Sequence, residues 1–479
     1  MFTQIPKKST PPRIRKPTII IFSSLSIILI LILIFSTNPC SQTTQILFPN
    51  FTPNYFKNTY NILYPNQETT PTNISHIVFS IASIVKTWHA RKHYVESWWR
   101  PNETRGFLFL DQAPNQHLSW PPTSPRVLVS NETMGQKDVS RAIRIARGIK
   151  ETFKMENTSV RWYVMADDDT VFFLENLVEV LKKYDHNGYY YVGMNSESVI
   201  SNNLFSFEMG FGGAGIAFSY PLASILVKNL DVCLKRYRGS YGSDQILHSC
   251  MADLGVSLTH AKGFHQIDLR GDISGLLSAH PQAPLVSLHH LDSVEPLFPA
   301  MDRPQSLTHL MTSAKADQSR LFQQSICYNH PTNWSFSLSW GYSVQIYEKT
   351  IAPSLLQVPI QTFREWLPGA RPAFMLKTRG PSKDPCEVPH YFYFDSVEDS
   401  GRWQQVVTTY VRRFPRRLPH CVVNGTHSAD YVEKIIVISP VTRLQTEGSR
   451  RECCDVVHVE KENVTTIKIR PCMKYEMIG

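Results

Sequence analysis

The middle of the chain alternates short apolar runs with segments of helical spacing. Residues 76–81 (HIVFSI) form a strand-type run, followed by 106–110, which ends in Asp111, and by 126–129. Residues 140–154 then place Ile143, Ala146, Ile149 and Phe153 on one helical face. Residues 160–166 (VRWYVMA) are again strand-like and run into Asp167-Asp168-Asp169. Leu174, Leu177, Val178 and Leu181 line one side of a following helix, and residues 189–192 supply another strand. Strands alternating with amphipathic helices predict an α/β domain with a largely parallel sheet over residues 73–313. Beyond 313 the texture changes: 335–347 and 431–439 read as strands, and six of the nine cysteines lie there. Residues 314–479 therefore read as a separate β-rich, disulfide-stapled module.

The first 72 residues differ. Residues 18–36 hold 19 residues without a charge, which as a helix span about 28 Å, close to a bilayer's hydrocarbon thickness. The basic residues Lys7, Lys8, Arg13, Arg15 and Lys16 precede them, so residues 1–17 are expected in the cytosol, 18–36 as a signal anchor and the rest in the lumen. Residues 37–72, rich in Pro, Asn and Thr, read as a stem.

Composition sharpens this reading. The net charge of +9 comes from 49 basic and 40 acidic residues, and without the five N-terminal basic groups the balance is 44 to 40. The body is nearly neutral, which gives no ground for a nucleic-acid partner. Sequons for N-glycosylation begin at Asn50, Asn73, Asn102, Asn131, Asn157, Asn333, Asn424 and Asn463, all beyond the expected anchor. Apart from Cys40 at the membrane edge, an even eight cysteines remain, without zinc-ligand spacing, and disulfides in an oxidising compartment are expected.

Four clusters bear chemistry. Asp167 and Asp169, one residue apart at a strand end, can project to the same side, and a divalent cation would offset their repulsion. A solvated acidic turn is the alternative. Phe211-Gly212-Gly213-Ala214-Gly215 lets backbone approach a ligand closely, or is a tight turn. Asp244, opening a helix, is either a cap or a base for deprotonating a hydroxyl. His260, His265, His289 and His290 are either structural or complete a carboxylate metal site.

In this order, Trp162-Tyr163-Val164-Met165-Ala166-Asp167-Asp168-Asp169-Thr170, Gly212-Gly213-Ala214-Gly215, Ser243-Asp244 and Ser287-Leu288-His289-His290-Leu291-Asp292 resemble glycosyltransferase family 31, which contains Fringe and the core β-1,3-galactosyltransferases. Leu288-His289-His290-Leu291-Asp292 and Ser339-Trp340-Gly341-Tyr342 are most similar to its plant Fringe-related proteins. The resemblance implies a GT-A, Rossmann-like nucleotide-sugar domain and an inverting transfer from a UDP-sugar to a glycan or glycoprotein hydroxyl, with Mn²⁺, in the Golgi membrane. It places Asp169, Asp167 and His289 (alternatively His265) at the metal. Asp167, Asp168, Arg141, Asp111 and Gly212, Gly213, Ala214 and Gly215 fall at the donor, and Asp244 at the position of the base. Ser243 stands where the family often has another acid. A catalytically inactive, membrane-anchored glycan- or protein-binding module on the same fold is the alternative, and a Ca²⁺-stabilised scaffold a third.

Overall fold

The computed structural model describes residues 70–114, 120–129, 141–400, 405–421, 428–441, 450–458 and 463–478. The expected tail, anchor and stem up to residue 69, and the sequons at Asn50, Asn131 and Asn424, lie outside the described residues. No helix among the described residues is long and apolar enough to cross a membrane.

The first half is built on a seven-stranded sheet. Its strands are β1 (Ile77–Ala82), β2 (Arg105–Leu110), β3 (Arg126–Val129), β4 (Trp162–Asp167), β6 (Tyr191–Gly193), β7 (Ile216–Ser219) and β8 (Leu258–His260), in the order β3-β2-β1-β4-β7-β6-β8. Six run parallel and β7 runs against them. β1 is buried at all six positions, which is why it reads as a continuous apolar run rather than an alternation. Around this sheet lie α1 (Val85–Glu96), α2 (Arg141–Met155), α3 (Leu174–Leu181), α4 (Tyr220–Arg236) and α5 (Ser243–Asp253). Leu222, Leu226 and Leu230 bury one side of α4, and Cys233 joins it to Cys250 of α5 by a disulfide.

A smaller sheet of β5 (Val171–Phe172), β11 (Ser287–Leu288) and β9 (Phe264–His265) crosses the carboxyl end of β4. Its register places Leu288 beside Val171 on one side and beside His265 on the other. That pairing matters for the site.

α6 (Arg303–Ala316), capped by Asp302 and Gln305, leads into the second half. There β12 (Gln324–Asn329), β13 (Trp334–Ser339), β14 (Ser343–Tyr347), β16 (His390–Ser400), β17 (Gln405–Arg412), β18 (Lys434–Pro440), β20 (Val464–Arg470) and β19 (Cys453–His458) form an eight-stranded sheet in that order. All its pairs are antiparallel except β18 with β20. The stretch 335–347, expected as strand, is a hairpin turning at Trp340-Gly341-Tyr342. Disulfides link Cys327 to Cys454, Cys386 to Cys421 and Cys453 to Cys472, so all eight cysteines of the body are paired.

One apolar core runs through both halves: Phe79, Trp162 and Leu177 belong to the same buried cluster as Leu310, Trp340, Phe392 and Ile435. A short antiparallel pair of β10 (Leu269–Gly271) with β15 (Phe363–Glu365) ties them a second time.

Candidate active site

The acidic triplet sits where the parallel strands end. Asp167 closes β4, and Asp168 and Asp169 form the turn after it. The Thr170 hydroxyl accepts from the Asp167 N–H at 3.1 Å and donates to the Gly213 carbonyl at 2.8 Å, which fixes the acidic turn against the glycine turn. From there the chain enters β5. Because β5 pairs with β11, the residue that follows β11, His289, is delivered to the acids. Its Nε2 lies 3.1 Å from Asp169 Oδ1 and 3.8 Å from Asp167 Oδ2. One ligand atom from each of Asp167, Asp169 and His289 falls within 4.8 Å of the others. Two carboxylates and an imidazole are a donor set suited to Mn²⁺ or Mg²⁺. The residues fit a divalent cation.

Electrostatics separate the three acids. Desolvation raises the Asp167 carboxyl to about 7, against the pull of His289. Burial also works against ionisation of Asp169, but His289 and Arg91 outweigh it and hold that carboxyl well below its usual range. His289 shows the converse: burial disfavours its cation, yet Asp169 and Asp167 raise it to about 9. Asp168 faces elsewhere, accepting from the Ser83 hydroxyl at 2.6 Å and from Arg91 at 3.1 Å.

Arg91 was not expected from the sequence. It projects from α1 and bridges Asp168 at 3.1 Å, Asp169 at 3.3 Å and Asp292 at 3.0 Å, and Tyr94 of the same helix donates to Asp292 at 2.6 Å. α1 has no apolar periodicity to announce it. Its buried side chains are Trp88, Tyr94 and Val95, interspersed with Lys and His.

Asp244 stands in the first turn of α5. Its Oδ2 accepts from the Gly212 N–H at 2.8 Å and its Oδ1 from the Ser243 hydroxyl at 3.1 Å. Desolvation raises its pKa in spite of the Gly212 bond, the direction a general base near neutrality needs. The glycines are required by packing. A Cβ on Gly212 would press on the Asp244 carboxylate, and one on Gly213 would overlap the His289 ring. Adjacent glycines thus abut the candidate base and the candidate metal ligand. Ala214 N–H donates to Gln266 at 2.9 Å, and Gly215 closes the turn.

The other expected residues divide. His265 is not with the acids: its Nδ1 meets Glu197 at 2.8 Å and its Nε2 meets His280 at 2.9 Å. Asp111 accepts from the Val85 N–H at 2.9 Å and so caps α1. Arg141 is exposed at the start of α2, and its neighbour Arg144 instead reaches the Ser83 carbonyl at 3.3 Å. The sequon asparagines Asn73, Asn102, Asn157, Asn333 and Asn463 are all exposed.

The sequence profile of the family described as "Protein of unknown function, DUF604" matches residues 201–454, more than half of the chain. The chain belongs to the DUF604 family. The profile described as "Fringe-like" matches residues 72–290 of this DUF604 protein, the part that holds the acids, the glycine turn, Asp244 and His289. A β-1,3-glucosyltransferase of Mus musculus is 28% identical over 110 residues, 23% of this chain and 22% of that one. The Homo sapiens protein of the same name is 29% identical over 105 residues, 22% of this chain and 20% of that one. The DUF604 protein thus spans about a fifth of the length of the curated relatives it matches. Over that first half it is similar to Fringe-like proteins. Among solved structures it overlaps the Streptococcus pneumoniae glycosyltransferase GlyE (TM-score 0.27, 13% identity, 40% of this chain and 45% of that one). It also overlaps the galactosyltransferase LgtC (TM-score 0.27, 9% identity, 39% and 73%). Overlaps of that size carry no weight for the fold, which rests on its own strand order.

Proposed function

We propose that this chain is an inverting, metal-dependent glycosyltransferase. It moves a hexose or N-acetylhexosamine from a UDP-sugar to a hydroxyl of a glycan or glycoprotein in β-1,3 linkage. The observation that carries this reading is the convergence of Asp167, Asp169 and His289 with Asp244 around one glycine turn. The β-1,3-glucosyltransferase relatives support the reaction class over the segment they share.

Asp167, Asp169 and His289 would hold Mn²⁺, which when bound supplies Lewis-acid stabilisation to a departing diphosphate. Asp244 takes the proton of the acceptor hydroxyl as that oxygen attacks the anomeric carbon from the face opposite the leaving group. The attack inverts the centre, so an α-linked donor gives a β-glycoside. Gly212 and Ser243 each occupy one carboxylate oxygen of Asp244, orienting it while a lone pair on each stays available. In the same reading residues 18–36 anchor the chain in the Golgi membrane with the catalytic part luminal, and the eight sequons carry glycans. The paired cysteines support an oxidising lumen.

A second reading draws on Arg91, whose guanidinium already offsets Asp168 and Asp169. In it the fold binds a glycan or protein without turnover. One experiment separates the two: UDP release from a panel of UDP-sugars, with Mn²⁺ and with chelator, for wild type and Asp169→Ala. The enzyme reading expects metal-dependent release, lost in the variant. Binding of UDP without release from any donor favours the second reading, and equal activity of Asp169→Ala defeats the proposed metal centre.

A further inference from the structure

A ligating histidine is ordinarily oriented by a hydrogen bond from its second ring nitrogen to a carboxylate or carbonyl. His289 lacks that device. Its ring is 3% exposed, and its Nδ1 is buried with no hydrogen-bond partner among the described residues. Apart from the Nε2 contact with Asp169, what fixes the ring is packing. On one side Gly213 leaves no room even for a Cβ. On the other the His290 ring lies 3.9 Å away, centroid to centroid, at a tilt of 31°.

His290 is itself constrained from three directions. Its backbone is left-handed at φ 54, its Nδ1 meets Asp268 at 3.0 Å, and its ring stacks on Trp366 at 4.7 Å and 11°. Trp366 comes from the second half of the chain, directly after β15, and is held there by the β10–β15 pairing. Arg270 closes the stack, its guanidinium 4.4 Å from the Trp366 ring centre and its Nε donating to the Trp366 carbonyl at 3.2 Å. The order Gly213, His289, His290, Trp366, Arg270 is a continuous column of packed groups from the glycine turn to the second half.

We propose that Trp366 is a positioning residue for the metal centre: through His290 it sets the ring of His289 toward Asp167 and Asp169. The proposal rests on the metal-dependent reading above, and it assigns the second half a share in building the site. Removing the indole frees His290 to turn. His289, whose Nε2 meets Asp169 but whose Nδ1 has no partner among the described residues to hold the ring's tilt, turns with it. A phenyl ring preserves the flat face and so most of the column.

Mn²⁺ affinity of the purified full-length chain in the presence of UDP, read from the electron paramagnetic resonance signal of free Mn²⁺, tests this without recourse to turnover. Trp366→Ala is expected to bind Mn²⁺ roughly 10-fold to 100-fold more weakly, the range for lost outer-shell support. Trp366→Phe is expected to stay within about threefold of wild type, and the metal-free melting temperatures of wild type and both variants to agree within a few degrees. Wild-type affinity in Trp366→Ala overturns the proposal, as does an equal loss in Trp366→Phe. Should Trp366→Ala fail to fold, His290→Asn breaks the column from within, at a backbone conformation Asn adopts readily. Weakened Mn²⁺ binding there sustains the proposal, and unchanged binding overturns it. A wild-type chain that binds no Mn²⁺ overturns the metal-dependent reading and the proposal with it, an outcome distinct from a variant that merely matches wild type.

Discussion

The two halves of the chain bury charge in opposite ways. In the first, Asp168, Asp169 and His289 are each at most 3% exposed and crowd together, with Arg91 as the cation that meets the acids. Two buried carboxylates and one imidazole crowded beside Asp167 form the kind of strained cluster in which functional sites are found. In the second half buried charge is matched locally. Arg320 pairs with Asp317 and Glu452 and donates to the Pro440 carbonyl, while Glu348 receives His390, Ser428 and the Ala429 N–H. The second half also holds three of the four disulfides, and the first half spends its single one on the helix that presents Asp244. One region keeps unbalanced charge in place by the packing around it. The other is closed by covalent links and paired ions, and offers the first a firm wall.

Truncation separates the two halves directly. Ending the chain at residue 313 strips Leu338, Trp340, Tyr342 and Phe392 from the core shared with Leu277 and Leu310. No soluble, cooperatively melting protein is expected from it; a truncated chain with a sharp thermal transition would show that the halves are independent. Asp244→Asn isolates the chemistry of the first half. Turnover is expected to fall about 10²-fold to 10⁴-fold, the usual contribution of a positioned base, while Mn²⁺ binding and melting temperature hold; a loss of metal binding would mean that Asp244 is part of the cation site instead.

Paired Cys→Ser replacements compare the two halves directly. The chain-entropy account gives roughly 5 kcal/mol for Cys327 with Cys454 and about 3 kcal/mol for Cys233 with Cys250, because their sequence separations are 127 and 17. Denaturant unfolding of the two double variants measures the difference, and a reversed ranking would place the strain of the fold in the first half. Acid gives the smallest effect. Burial holds His390 below its usual pKa, and Glu348 is lowered against its own burial by His390 and the Ala429 N–H. Both groups take up protons more readily when unfolded. The stability these two groups contribute is therefore full above the ordinary histidine range and falls as pH drops through the histidine and then the carboxylate range. Glu348→Gln is expected to flatten the lower part of that fall in urea midpoints measured against pH.

How much of this the sequence discloses depends on whether a feature is local. The acidic turn was legible because three carboxylates follow an unbroken apolar run, and the helix opening at Ser243 because Ile246, Leu247 and Cys250 share a side. The largely parallel sheet was legible, but the reversed direction of β7, which follows directly on the glycine motif, was not. The choice between His265 and His289 turns on which strand neighbours β5, a register no local pattern encodes. Arg91 and Trp366 escaped for a related reason. One lies on a helix without apolar periodicity, the other beyond the expected catalytic domain, and only the folded chain brings Arg91 to the acids and Trp366 to His290.

The cysteines of the large second sheet have one more consequence. Cys327 lies on β12 and Cys454 on β19, the first and last strands in the order, and their Cα atoms are 5.6 Å apart. The bond therefore draws together the two borders at which an open sheet would offer unpaired N–H and carbonyl groups to another chain. Cys453, facing the other way along the same strand, clasps the C-terminal segment at Cys472. The closure of this sheet is thus coupled to the redox state in which the protein is made. Expressed in a reducing cytosol, the chain would lose this covalent closure of the two borders, and an oxidising host is the condition for preparing it with the sheet closed.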